Sequence, residues 1–244
     1  VADVIKPIIW SIAGSDSGGG AGLQADLQTI TGLGGHACTI VTAVTSQNSL
    51  SVQAVETVDI QPQLAALEGD MPAQAIKIGM LTNQVQVEQL AERLKHYRET
   101  WPAPPFVVYD PVMKASTGGA LAQDDLCRVI REKLLPQVDL LTPNKVEAEM
   151  LSGLSLDNEA CLETATKRLL ETGCRAVIIT GGHFHREQAV DVYQDKRRCL
   201  FLTSPMQKTR HHHGSGCTFA SAIATLIAQD YPVEDALVLS KAYI

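Results

Sequence analysis

Two glycine-rich stretches hold the residue types and spacings that could do chemistry. The later is Gly214-Ser215-Gly216-Cys217, which opens a run of small residues (Thr218, Ala220, Ser221, Ala222, Ala224) that reads as a helix. The first turn of a helix has unpaired N–H groups at the positive end of its macrodipole. Glycines there let the backbone come close to a ligand, so Gly214 to Cys217 reads as an anion cradle. Cys217 lies inside it. A thiol at a helix start is expected to have a lowered pKa and to act as base or nucleophile. The alternative is a tight loop with a buried structural cysteine. Three histidines, His211 to His213, precede the cradle. On an extended backbone His211 and His213 face one way, which gives only two metal ligands, and a catalytic zinc needs a third. They read as polar residues leading into the cradle.

The earlier stretch is GSDSGGGAGLQAD, Gly14 to Asp26. Glycine so dense after a strand marks a loop that bends sharply or approaches a ligand. It is not a strict G-x-G-x-x-G, and no G-K-[ST] occurs in the chain. A dinucleotide fingerprint and a Walker loop are therefore excluded. A third group is acidic. Asp110 ends the apolar run FVVYDP, and Asn144 and Glu147 lie three apart at the start of a helix. Carboxylates beside an anion cradle suit a hydrated Mg²⁺, which takes one or two carboxylates plus substrate phosphates. Each residue alone reads as a helix cap or a surface acid.

These residues need a scaffold that gathers them, and strand–helix alternation supplies one. PIIWSIAG (Pro7 to Gly14), ACTIVTAVTSQ, AQAIKIG, FVVYDP, DLLTPN and RAVIITGG read as strands. AVDVYQ and RCLFLT read as a hairpin around Asp195-Lys196. AGLQADLQTITGLGG reads as a helix with Leu23, Leu27, Ile30 and Leu33 on one face. Helices are also expected over VQVEQLAERLKHYRET, DDLCRVIREKLLP, from near Lys145, over GSGCTFASAIATLIAQ and over VEDALVLSKAYI. The pattern implies one α/β domain over 1–244, a mainly parallel sheet with helices on both faces. In such sheets ligands bind beyond the carboxyl ends of strands. Gly14, Gln47, Gly79, Asp110, Asn144 and Gly182 should therefore share one edge.

Composition removes several function classes. The net charge of −7 comes without a Lys/Arg stripe, which argues against a nucleic-acid partner. No apolar run is long enough to cross a membrane, and no signal peptide is read at the N-terminus. Six scattered cysteines without C-x-x-C spacing read as reduced thiols, so the expected compartment is the cytoplasm.

The combination resembles the ribokinase-like small-molecule kinases. Within them it is most similar to the hydroxymethylpyrimidine/phosphomethylpyrimidine kinases of thiamine biosynthesis. The carrying residues are IAGSDSGGGAGLQADLQT, AVTSQNS, KIGML, YDPVM, LTPNKVEAEML, TGGH and HGSGC, in family order along the chain. The resemblance implies a three-layer α/β/α sandwich and a homodimer. It implies ATP-dependent, Mg²⁺-assisted phosphorylation of 4-amino-5-hydroxymethyl-2-methylpyrimidine and then of its monophosphate. By position, Gly14, Ala21, Asp26, Gln47, Met80 and Val112 would line the pyrimidine pocket, with Gln47 on the aminopyrimidine edge. Asp110, Glu147, Thr180 and Gly182 would serve ATP, and Asp110 and Glu147 would hold Mg²⁺ through water. Gly214, Ser215, Gly216 and Cys217 would form the anion hole, with Cys217 taking or relaying the hydroxyl proton.

Two positions depart from that pattern. Thr180 stands where many relatives carry a lysine on the ATP phosphates, and His212 where a threonine is common. The rival readings are a pyridoxal/pyridoxine kinase of the same superfamily and a non-catalytic vitamin- or nucleotide-binding module. The Gln47-Asn48 pair and Met80 favour the pyrimidine, and the surviving cradle and carboxylates favour catalysis.

Overall fold

The computed structural model describes residues 6–48, 50–113, 120–158, 160–181, 187–206 and 214–244 (for 120–124 and 160, the backbone only), and these form nine strands and eight α-helices that alternate through most of their order. The strands are β1 (Ile8–Asp16), β2 (His36–Gln47), β3 (Val52–Thr57), β4 (Ala75–Ile78), β5 (Phe106–Tyr109), β6 (Leu140–Leu141), β7 (Ala176–Ile179), β8 (Gln188–Asp195) and β9 (Cys199–Pro205). The helices are α1 (Gly22–Gly32), α2 (Gln61–Glu68), α3 (Gln84–Thr100), α4 (Ala120–Val129), α5 (Lys145–Ser152), α6 (Ala160–Leu170), α7 (Ser215–Ala228) and α8 (Val233–Tyr243).

One sheet runs β3-β2-β1-β4-β5-β6-β7-β8-β9. The pairings from β2 through β7 are parallel. Antiparallel β3 closes one end, and the β8–β9 hairpin closes the other. Successive side chains on a strand point to opposite faces, so each strand feeds two cores. Trp10, Ile12, Ile76, Ile78, Val107 and Tyr109 face one core, with Leu64 of α2, Leu90 of α3, Leu151 of α5 and Leu162 of α6. Ile9, Ala75, Val108, Leu140 and Ile178 face the other, with Ile30 of α1, Phe219 and Ile223 of α7 and Leu237 of α8. The result is the expected α/β/α sandwich.

The second face matters for function. Toward the carboxyl ends of its strands the buried series turns polar: Ile9 gives way to Ser11, Ala75 to Lys77 and Val108 to Asp110. Helix α7 packs over β1, β4 and β5 here. Its Ala220, Ser221, Ala222 and Ala224 are fully buried and small enough to let it lie close to the sheet.

The α1 face differs from expectation. Leu23 and Ile30 are buried, but Leu27 is exposed, and Asp26 and Thr29 take its place inside. A polar pair can be buried only with partners, and Asp26 has them, as described below. Strand β3 and helices α2 and α6 also lie outside the sequence reading. β3 is an almost wholly exposed edge strand, so it shows no apolar alternation. α2 is short and buries Leu64 alone. α6 did carry a legible stripe, Leu162, Ala165 and Leu169.

Candidate active site

The glycine loop after β1 is organised by an acid. Asp16 is 5% exposed, and its carboxylate accepts the N–H groups of Gly18, Gly20 and Ala21 at 2.8, 3.1 and 2.9 Å. Three amides on one carboxylate fix a loop that its glycines would otherwise leave loose. The Ser17 hydroxyl donates to the Gln47 carbonyl at 2.6 Å and accepts the Gln47 N–H at 2.8 Å. That pins the end of β2 to the loop. Gly14 lies against the methyl of Met80. Gln47, Met80, Ala21 and Val112 are all half-buried. Gly14, Ala21, Gln47 and Met80 thus gather at the carboxyl ends of β1, β2 and β4, and Val112 follows β5.

The anion cradle sits directly on this loop. Gly214, the N-cap of α7, has φ +85°, and a Cβ placed on it would collide with the carbonyl oxygen of Gly20, so no side chain fits there. Gly214 brings no capping side chain to α7. Ser215 and Gly216 are exposed at its first turn. Gly216 faces Asp110: a Cβ placed on it would stand 3.6 and 3.7 Å from the two carboxylate oxygens. Asp110 is 5% exposed, and its Oδ2 has no hydrogen-bond partner among the described residues. Burial pushes its pKa up to about 6, with Lys77 opposing, Asp26 adding to the rise and the Cys217 thiol opposing through a hydrogen bond.

Cys217 corrects the sequence reading. Its thiol is 8% exposed and pushed up to about 12 rather than lowered. Burial is the main cause; Lys77 opposes it, Asp110 and Asp26 reinforce it, and the Gly22 N–H opposes it. A helix start favours the thiolate only where the surroundings do not bury it among carboxylates.

Asp26 lies beneath the loop: it is fully buried, and both oxygens meet Lys77 Nζ at 2.9 Å. Ser11 Oγ donates to its Oδ2 at 2.6 Å, and Ser221 Oγ donates to its Oδ1 at 2.8 Å. Burial would lower the Lys77 pKa, but Asp26, then Cys217 and Asp110, carry it above the ordinary lysine value. This buried quartet ties β1, α1, β4 and α7 together beneath the cradle. Asp16, Lys77, Ser11 and Ser221 are site-building residues that the sequence reading missed. A lysine inside the apolar strand AIKI was the available signal, since lysine is almost never fully buried unpaired.

Beyond Asp110 the edge continues to β6 and β7. Asn144 and Glu147 form a capping box on α5: the Asn144 side chain accepts Glu147 N–H at 3.1 Å, and Glu147 Oε2 accepts Asn144 N–H at 2.9 Å. Their expected neighbourhood is therefore real, and Glu147 has a structural duty there as well. Thr180 is half-buried, and its N–H donates to the Pro143 carbonyl at 3.0 Å. Gly182 and His211 to His213 lie outside the described residues. Among the described residues no three His, Cys, Asp or Glu could hold a metal by themselves. The unpartnered Asp110 oxygen does fit a Mg²⁺ whose other ligands are water and substrate phosphate.

A family model described as phosphomethylpyrimidine kinase matches residues 16–244. The hydroxymethylpyrimidine/phosphomethylpyrimidine kinase of Rhizobium meliloti is 37% identical, over 97% of this chain and 88% of its own. The thiamine biosynthesis bifunctional protein ThiED of Geobacter sulfurreducens is 39% identical over 97% of this chain, which spans 48% of that protein's length. An ADP complex of Bacillus subtilis pyridoxal kinase superposes with a TM-score of 0.88 at 34% identity, covering 98% of this chain and 90% of that one. The chain belongs to the phosphomethylpyrimidine kinase family.

Proposed function

We propose that this protein transfers the γ-phosphoryl group of ATP to 4-amino-5-hydroxymethyl-2-methylpyrimidine and then to its monophosphate, as a step of thiamine biosynthesis. Family membership supports the pyrimidine, and the single observation that carries the chemistry is Asp110. Among the described residues its Oδ2 is buried without a partner, and the carboxylate faces Gly216 in the first turn of α7. Gly14, Ala21, Gln47 and Met80 gather on one side of that point, with Val112 beside it; Asn144, Glu147 and Thr180 lie on the other side. The pyrimidine would sit on the first side, with its amino edge on Gln47. ATP would approach from the second, where Thr180 and Gly182 follow β7.

Phosphoryl transfer needs positioning and charge stabilisation more than covalent chemistry. The amides of Gly214, Ser215, Gly216 and Cys217 would receive the charge that develops on the transferring group. Bound Mg²⁺ would neutralise phosphate charge, held by Asp110 and Glu147 through water. Cys217 enters as a thiol, because its environment disfavours the thiolate. In this reading its S–H proton passes to Asp110 as the substrate hydroxyl proton passes to sulfur. Cys217→Ala should lower kcat about 100-fold and leave both KM values nearly unchanged. Unchanged kcat would remove the relay.

A coupled ADP-release assay with MgATP tests the function. Turnover on the hydroxymethylpyrimidine and its monophosphate, with pyridoxal much slower, is expected. Preference for pyridoxal would transfer the assignment to the kinase activity of the Bacillus subtilis neighbour, and no turnover would leave a binding module. In the same reading the enzyme is a cytoplasmic homodimer without a nucleic-acid partner. Its unpaired cysteines support the compartment, and light scattering on the purified protein tests the dimer.

A further inference from the structure

The turn after β7 is fastened in a way that its own sequence does not explain. Thr180 N–H is held by the Pro143 carbonyl at 3.0 Å. Gly181 N–H donates to Asp191 Oδ1 at 2.7 Å, and Gly181 lies so close to the backbone carbonyl of Val190 that any side chain would collide. Asp191, on β8, is 5% exposed. Its second oxygen, Oδ2, accepts Lys241 Nζ from α8 at 2.6 Å, and the Lys241 side chain is 12% exposed.

Asp191 is thus a buried carboxylate directly behind the turn where ATP phosphates are expected. Unbalanced, it would repel them, and strongly so in a site poor in water. Thr180 carries no charge to offset it. Lys241 does. We infer that Lys241 is a positioning residue for the nucleotide: it neutralises Asp191, so that Asp191 can fasten the turn through the Gly181 N–H without repelling the phosphates. The inference rests on the function proposed above. It concerns the nucleotide half alone, because β7 lies four strands from β1, about 19 Å along the sheet.

A pair that merely fastened α8 would alter stability and move both ligand affinities together. Calorimetric titration of the full chain with MgADP and, separately, with the hydroxymethylpyrimidine distinguishes the two. Lys241→Met should weaken MgADP by about tenfold or more and leave the pyrimidine within about twofold. Adding Asp191→Asn removes the charge but keeps an acceptor for Gly181, so it should restore most of the MgADP affinity. Lys241→Arg should behave nearly as the parent. KM for ATP should rise in Lys241→Met, with kcat at saturating ATP little changed.

Equal MgADP affinity in the parent and Lys241→Met would overturn the inference, as would an equal loss of both ligands. A parent protein that binds no MgADP would overturn the proposed function along with it. Should Lys241→Met fail to fold, the neutral pairs Asp191→Asn/Lys241→Met and Asp191→Ala/Lys241→Met decide. Equal MgADP affinities in those two would remove the role of Asp191 on Gly181.

Discussion

Two buried aspartates stand at opposite edges of the same part of the sheet. Asp139 precedes β6 on the amino edge and is 4% exposed. It accepts Arg98 Nη2 at 2.9 Å, Arg175 Nη1 at 2.9 Å and the Val107 N–H at 2.8 Å. Asp110 follows β5 on the carboxyl edge and is as deeply buried, yet its Oδ2 has no partner among the described residues. A buried acceptor left unsatisfied costs about 1–3 kcal/mol. The molecule satisfies the acid on one edge and tolerates an unsatisfied one on the other. The first is a structural clamp across α3, β5, β6 and β7. The second is the acceptor that the proposed function assigns to the reacting groups.

The sharpest break in that comparison is Asp110→Asn. Loss of the carboxylate should lower kcat about 1000-fold in steady-state assays while the folded state becomes no less stable. Its pH behaviour gives an independent check. A carboxyl raised from 3.8 to about 6 in the folded protein binds protons more tightly there than in the unfolded chain. Stability from this group is therefore highest below pH 3.8 and falls as pH rises through about 6, by on the order of 3 kcal/mol. Denaturant titrations across this range should show the stability difference between the parent and Asp110→Asn narrowing toward acid pH.

Asp26→Asn sharpens the comparison from below the site. It leaves Lys77 charged and buried without its counter-ion, and should cost about 3–5 kcal/mol of stability by denaturant unfolding. Asp26→Asn/Lys77→Met should recover most of that loss. Failure of the double variant to recover would show that the two serine hydrogen bonds, not the charge pair, hold α1 to α7. The smallest effect is expected at the amino edge. Asp139→Asn should cost about 2 kcal/mol, less than a sealed pair because the Arg175 side chain is 67% exposed. Its kcat should stay within about twofold of the parent wherever it is folded.

Much of this contrast was legible in the sequence on one side and hidden on the other. Asp110 declared itself because an acid before proline ends the apolar run FVVY. The cradle declared itself through Gly214-Ser215-Gly216-Cys217 and the small residues after it. The clamp at Asp139 did not, because Arg98 lies 41 residues away in the chain and only the strand order brings it near. The sign of the Cys217 shift was misread for the same reason. The helix start is local, whereas burial and the carboxylates of Asp26 and Asp110 arrive from distant segments. The resemblance puts Asp26 at the pyrimidine pocket but says nothing of the network that holds it. Its partners in the fold, Lys77 and Ser221, are 51 and 195 residues away.

The most direct test measures Asp110→Asn and Asp139→Asn side by side, for kcat with MgATP and hydroxymethylpyrimidine and for unfolding free energy on the same preparations. A crossed result is expected: Asp110→Asn stable and nearly inactive, Asp139→Asn destabilised and active. If the two variants lose activity and stability in proportion, the open acid at the carboxyl edge has no special role, and the site assigned to it is wrong.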